Sequence, residues 1–294
     1  MDHLTVQPHN KNVAGLVSVI IPTINRASLE LAVDSVLKQD YREIEIIIVG
    51  DGVMPNLTQL SRESEIPVFT FEAVPTGRPG PLRNIGIKQA RGQFLAFLDD
   101  DDLWAPDKLS KQILAARHNQ TNLVCSNALV GNHQGRPLYY FRSIPKTAYF
   151  SSSVVNPVIL SSLLIKRNDS EDAFEPTFPE SERYRGFEDH IYVLQHLEFN
   201  QITFLNDALV KYQNEGIDRL SSQLFHKRNA VIGSTNLCAA KLLIQKPSIS
   251  RFGLALWHLM IWMVFKLYGL LPTKIMTAFE QWLSRSVVRR RNHG

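Results

Sequence analysis

The chain predicts an α/β fold: a mostly parallel central sheet with helices on both faces, followed by a C-terminal helical extension. Two observations carry that prediction. Through the first hundred residues, β-branched apolar runs alternate with stretches of helical periodicity, and from about Leu220 onward no strand pattern remains.

Residues 17–21 form a β-branched apolar run, broken only by Ser18, that closes on Pro22, with polar Asn25 and Arg26 behind it. Leu29, Ala32, Val33, Val36 and Leu37 then recur at helical spacing, so this segment reads as strand, loop and helix. Residues 44–49 repeat the run and stop at Gly50, Asp51 and Gly52, ahead of a short helix expected over 57–62. A third strand is expected at 68–71. After Pro79 to Pro81 a helical stretch is expected through Ile85, Ile87 and Ala90. A strand at 94–98 and a helix opening at Pro106 complete the alternation. Units of this kind connect by right-handed crossovers, which puts helices on both faces of the sheet.

The fourth run leads directly into Asp99, Asp100, Asp101 and Asp102, then Leu103, Trp104 and Pro106. Adjacent carboxylates repel one another unless something positive binds there. Hard oxygen ligands suit Mg²⁺ or Mn²⁺, ions that commonly bring phosphate oxygens into the same shell. A solvated acidic turn ahead of a helix N-terminus is the structural alternative. Ligands of open α/β sheets bind beyond the carboxyl ends of the strands, and Asn25, Asp51 and the four aspartates all fall there.

Beyond the acidic run, strands are expected at 123–130, 157–166, 202–205 and 208–212. Glu188 and Asp189 open an amphipathic run through Ile191, Val193, Leu194 and Leu197, and the helix dipole alone accounts for acidic residues in a first turn. Three C-terminal helices are expected, broken at Pro247 and Pro272. The organisation expected is a polar N-terminal tail at 1–16, an α/β domain at 17–215 and a helical region at 216–294.

Composition narrows the classes further. Of 294 residues, 44% are hydrophobic and 20% charged, which excludes wholesale disorder and a polytopic membrane protein. The net charge of +4 is unevenly placed: Arg285, Arg289, Arg290 and Arg291 crowd the C-terminus, away from the aspartates. That distribution argues against a chain-wide nucleic-acid surface. Cys125 and Cys238 are isolated, which suggests neither disulfides nor a zinc site and makes a reducing, cytoplasmic compartment the expectation. Residues 1–12 are polar and do not read as a secretory signal.

Residues 252–271 are almost wholly apolar and approach the ~20 needed to span a bilayer, but Lys266 disfavours full insertion. The next stretch gathers Ile275, Phe279, Trp282, Leu283 and Val287 on one helical face, with Lys274, Arg285 and Arg289 elsewhere around it. Such a helix suits the headgroup region of an anionic membrane, and packing against the catalytic domain or a second copy is the other reading.

Four strings, VSVIIPTINR, IIIVGDG, PLRNIGIKQARGQFLAFLDDDDLWAPDKL and GFEDH, stand in the order typical of family 2 glycosyltransferases with the GT-A fold. The resemblance covers roughly residues 17–212. It implies that Pro22, Thr23, Asn25 and Asp51 hold the nucleotide base and ribose; an aspartate can accept from a uracil or guanine ring N–H. Arg83, and after it Arg78, are implied at the diphosphate or beside the acidic loop. The family's Asp-x-Asp element maps to Asp99 and Asp101, with Asp99 and Asp100 toward the donor and Asp101, together with Asp99, on a Mn²⁺ or Mg²⁺ ion. Because all four positions are aspartate, that register is open by one residue.

Asp189 matches the family's catalytic base, which takes a proton from the acceptor hydroxyl as it attacks; a single displacement inverts the anomeric centre. The implied reaction transfers a sugar from a nucleotide donor, a UDP-sugar being favoured, to a glycan or lipid-linked saccharide for a cell-surface polymer. It would take place at the inner face of the cell membrane. One departure stands out: many relatives carry Tyr-Arg-x-His after the last strand, whereas this chain has Tyr212, Gln213, Asn214 and Glu215, so the role of that histidine is unfilled here or falls to His226, which reads more readily as a surface residue. Two rivals are a catalytically silent scaffold of the same fold and a sugar-nucleotide nucleotidyltransferase. The latter wants a glycine-rich loop after the first strand, where residues 22–26 offer none.

Overall fold

The computed structural model describes residues 12–57, 64–130, 138–139, 158–168, 176–197 and 201–212, together with Leu256, Leu259, Met260 and Met263. The chain divides into two compact units, one of residues 1–148 and 157–216, the other of 149–156 and 217–294. In chain order the elements are β1 Val13–Thr23, α1 Leu29–Leu37, β2 Ile44–Asp51, β3 Val68–Ala73, α2 Pro79–Gln89, β4 Gly92–Phe97 and β5 Leu103–Trp104. They continue with α3 Lys108–Asn119, β6 Leu123–Val130, β7 Leu138–Tyr139, β8 Leu164–Lys166, α4 Glu188–Leu197 and β9 Ile202–Tyr212.

Among the described residues all the strands join one sheet in the order β3-β2-β1-β4-β8-β6-β9-β5, with β7 on β6. β1 lies parallel to β2 and β4, and β2 parallel to β3, as the alternating pattern predicts. Past β4 the sheet is mixed: β8 runs antiparallel to both β4 and β6, β6 is parallel to β9, and β5 closes antiparallel on β9.

Burial explains why the first half forms so regularly. Residues 44–50 of β2 are all buried, as expected of a central strand covered on both faces. Val17, Val19, Ile21, Ile46 and Ile48 share a core with Leu29, Ala32, Val33 and Val36 of α1. α2 packs on β1 and β2, where Gly86 permits a close approach: a Cβ there would stand 2.4 Å from Ile20 Cγ2. The register pairs Thr23 with Gly50 and Asp51 with Ala73, so the carboxyl ends of β1, β2 and β3 finish together. β4 ends beside them, Ile20 pairing Phe97.

Two expected elements differ. The strand expected at 157–166 is a single 3-10 turn, Leu160–Ser162, followed by the short β8. Ser162 bonds back to the Ile159 carbonyl through both its hydroxyl (2.7 Å) and its N–H (2.8 Å), a local bond that competes with strand pairing. The two strands expected at 202–205 and 208–212 are one, β9. Asn206 and Asp207 bulge out of its ladder with β6, since Leu205 pairs Ser126 and Ala208 pairs Asn127.

The N-terminal tail to residue 11, the helix expected at 57–62 beyond Leu57, and most of the C-terminal helices lie outside the described residues. Leu256, Leu259, Met260 and Met263 are helical. Among the described residues no helix is long and apolar enough to cross a membrane.

Candidate active site

The acidic run is a turn in which the four carboxylates part company. Leu98 N–H still reaches the Ile20 carbonyl (3.1 Å), after which Asp102 N–H closes on the Asp99 carbonyl (3.0 Å). Asp100 is buried, and its two oxygens accept from the Thr23 hydroxyl and from Arg26, each at 2.6 Å. Asp102 is fully buried and accepts the Ser161 hydroxyl at 2.6 Å. Asp99 and Asp101 stay partly exposed. Ligand oxygens of Asp99, Asp101 and Asp102 lie within 4.8 Å of one another. A set of converging carboxylates with no softer ligand among them fits a hard divalent cation such as Mg²⁺ or Mn²⁺.

Arg83 and Asn84, adjacent on α2, divide the work of holding this turn against α4. Arg83 is buried; its Nη2 pairs with Asp99 Oδ1 at 2.5 Å and its guanidinium lies 5.3 Å from the Phe178 ring centre. Asn84 grips the same phenylalanine by its backbone, its amide donating to the Phe178 carbonyl and accepting the Phe178 N–H, both at 2.8 Å. The Phe178 ring stacks on Tyr192 of α4 with centres 3.9 Å apart, and Phe97 of β4 meets both rings edge-on at 5.5 Å. Acidic turn, α2 and α4 are thereby joined through one aromatic cluster.

α4 opens with Glu188 and Asp189. Glu188 is buried, accepts the Gly186 N–H at 2.6 Å, and is pushed up from the ordinary glutamate range by burial. A Cβ on Gly80 would lie 3.1 Å from its Cβ and Cγ, so glycine lets the start of α2 approach α4 closely. Asp189 is partly exposed and accepts the His190 N–H at 2.7 Å. Burial also pushes the Asp189 carboxyl up; the charges of Arg83 and His190 oppose this, and that of Asp99 adds to it. Asp189 therefore shares the electrostatic field of the acidic turn.

The other residues singled out from sequence sit along the same sheet edge. Pro22 is buried in β1. Thr23 is buried too, its hydroxyl giving to Asp100 and accepting the Asn25 N–H at 2.8 Å. Asn25 has φ of +64°, and its side-chain oxygen accepts the Asn56 N–H at 3.0 Å, tying the β1 and β2 loops together. Asp51 accepts the Thr76 N–H (2.6 Å) and the Gly77 N–H (2.7 Å), which fastens the loop leading into α2. Arg78, at the start of α2, is buried and bonds the Glu180 carbonyl, with Glu182 3.5 Å from its Nε. Arg26 and Ser161 were not singled out as site residues. Arg26 was legible as a neighbour of Asn25, but Ser161 lies 59 positions from Asp102 and had no local signal. Gln213, Asn214, Glu215 and His226 lie outside the described residues.

A parallel sheet half extended by a mixed half, with an acidic turn after β4 and a carboxylate-headed helix facing it, is the arrangement of the GT-A glycosyltransferases. The family model described as Glycosyl transferase family 2 matches residues 18–163, and that segment of the chain belongs to the family. A glycosyltransferase of Rickettsia felis is 33% identical over 146 residues, 49% of this chain and 23% of that protein. The Escherichia coli protein WfgD, a UDP-Glc:α-D-GlcNAc-diphosphoundecaprenol β-1,3-glucosyltransferase, is 34% identical over 123 residues, 40% of this chain and 47% of that one. The chain thus spans less than half the length of both relatives. Among solved structures, the Pyrobaculum calidifontis mannosyltransferase PcManGT, in complex with GDP-Man and Mn²⁺, shares the fold: TM-score 0.54, 16% identity, 95% of this chain and 84% of that one.

Proposed function

We propose that the chain is an inverting, divalent-metal-dependent glycosyltransferase. It moves a sugar from a nucleotide-diphosphate donor, a UDP-sugar by preference, to a hydroxyl of a glycan acceptor in cell-surface polysaccharide synthesis. The observation that carries this reading is that Arg83 pairs with Asp99 of the acidic cluster while its charge also acts on Asp189, so a metal-type cluster and a base of raised proton affinity share one cation. Asp99 and Asp101, with Asp102 behind them, would hold the cation. When bound, Mg²⁺ or Mn²⁺ supplies the positive charge that offsets the nucleoside diphosphate as it departs. Asp51, Asn25, Pro22 and Thr23 form the base and ribose end, and Asp100 holds that end to the acidic turn. Asp189 takes the acceptor proton in its ionised form, which the nearby charge of Arg83 favours.

The name of WfgD supports a UDP donor and a polyprenyl-diphosphate-linked acceptor, and PcManGT bound to Mn²⁺ supports the metal. An acceptor of that kind calls for work at the inner face of the cell membrane. Leu256, Met260 and Met263, exposed apolar side chains on one side of a helix, support a peripheral contact there.

The test is donor turnover by the purified full chain across a panel of nucleotide sugars with Mn²⁺. Asp101→Asn should abolish turnover and Mn²⁺ dependence together. Asp189→Asn should keep donor affinity but slow transfer by about 10² to 10⁴-fold, the share of a general base. Full activity in Asp101→Asn removes the metal role, and loss of donor binding in Asp189→Asn removes the base role.

A further inference from the structure

We propose that Ser161 is a positioning residue for the divalent cation, acting through Asp102; this rests on the metal-dependent reading above. Ser161 reaches the acidic turn from the 3-10 turn ahead of β8, and because β8 runs antiparallel to β4, the start of β8 stands at the end of β4. Its hydroxyl touches both ends of the acidic run. Asp99 donates its backbone N–H to Ser161 Oγ at 3.1 Å, and Ser161 Oγ donates to Asp102 Oδ2 at 2.6 Å.

The direction of these bonds is fixed by chemistry. An amide N–H can only donate, so Ser161 must accept from Asp99, and its single proton is committed to Asp102. The turn that carries the serine is anchored, because Ser161 is buried and its backbone carbonyl accepts the Trp104 indole N–H at 2.8 Å. Ser161 therefore ties the buried Asp102 into the cluster with Asp99 and Asp101. Partners one bond removed from a metal ligand orient it, and their loss commonly weakens metal affinity about tenfold or more.

Free Mn²⁺, followed by its room-temperature electron paramagnetic resonance lines in the full chain without donor, reads this directly. Ser161→Ala should raise the Mn²⁺ Kd about tenfold, while Ser161→Thr, which keeps the hydroxyl, should stay within about threefold of the parent. In an Asp102→Asn background, Ser161→Ala should change the Kd no further, because its action passes through that carboxylate. An unchanged Kd in Ser161→Ala overturns the proposal, as does an equal tenfold loss with Asp102 intact or replaced. Should Ser161→Ala fail to fold, a Ser161→Thr protein that is folded yet binds Mn²⁺ tenfold more weakly overturns it as well. Failure of the underlying reading looks different: the parent would then bind no Mn²⁺, or Asp101→Asn would bind it as tightly as the parent.

Discussion

Four aspartates in a row look interchangeable as letters, yet Asp100 and Asp102 are interior residues and Asp99 and Asp101 are not. What separates them is partners remote in sequence: Thr23 lies 77 positions from Asp100 and Ser161 lies 59 from Asp102. This is why the sequence marks the acidic run as a site but leaves its register open. The separation has a measurable consequence. Asp100→Ala strands the buried Thr23 hydroxyl and removes the partner of the half-exposed Arg26, and should cost about 1 to 3 kcal/mol of stability. Asp101→Ala removes one of several mutually repelling carboxylates from a partly exposed position, and should leave stability within about 1 kcal/mol of the parent. Urea unfolding of the metal-free variants checks both, and equal losses would mean that the four side chains are not divided between structural and open positions as described.

At the scale of elements, α4 shows where periodicity works and where it stops. Ile191, Val193, Leu194 and Leu197 betray the helix, but Glu188, His190, Tyr192 and His196 are buried as well, so the helix has almost no free side. A pattern argument assumes one wet face and therefore misses inward-facing histidines. His196 packs edge-on against Tyr192 with ring centres 4.7 Å apart, and burial pushes its pKa down to about 3. In the unfolded chain a histidine titrates near 6.5. Between those values the unfolded state holds the extra proton, so stability falls as pH drops below about 6.5 and is unaffected by this group above it. The loss due to His196 should reach about 2 kcal/mol between pH 7 and pH 5. His196→Phe keeps a ring against Tyr192 and removes the titration, so its urea midpoint should fall less over that interval than the parent's. Identical falls would assign the acid sensitivity to other groups.

For the molecule as a whole, legibility followed contact range. The parallel half could be read because each strand, loop and helix is contiguous, and the residues that close the strands arrive at one edge through the topology. The mixed half could not be read in the same way: β8 is three residues long and is inserted between β4 and β6 by pairings far apart in the chain. In the second unit, Leu256, Met260 and Met263 are spaced four and three apart on a helix and are 51%, 41% and 51% exposed. A helix face turned to water is ordinarily polar. An apolar one, followed in sequence by Arg285, Arg289, Arg290 and Arg291, suits the surface of an anionic bilayer, where apolar burial and charge attraction act together. The full chain should therefore float with vesicles containing phosphatidylglycerol, and less so with purely zwitterionic vesicles or at high salt. Replacing Leu256, Met260 and Met263 together by serine removes enough apolar area to weaken that partitioning at least about tenfold, with no change in nucleotide-sugar turnover on an acceptor free of lipid. A triple variant that floats as well as the parent would show that these three side chains meet protein rather than lipid.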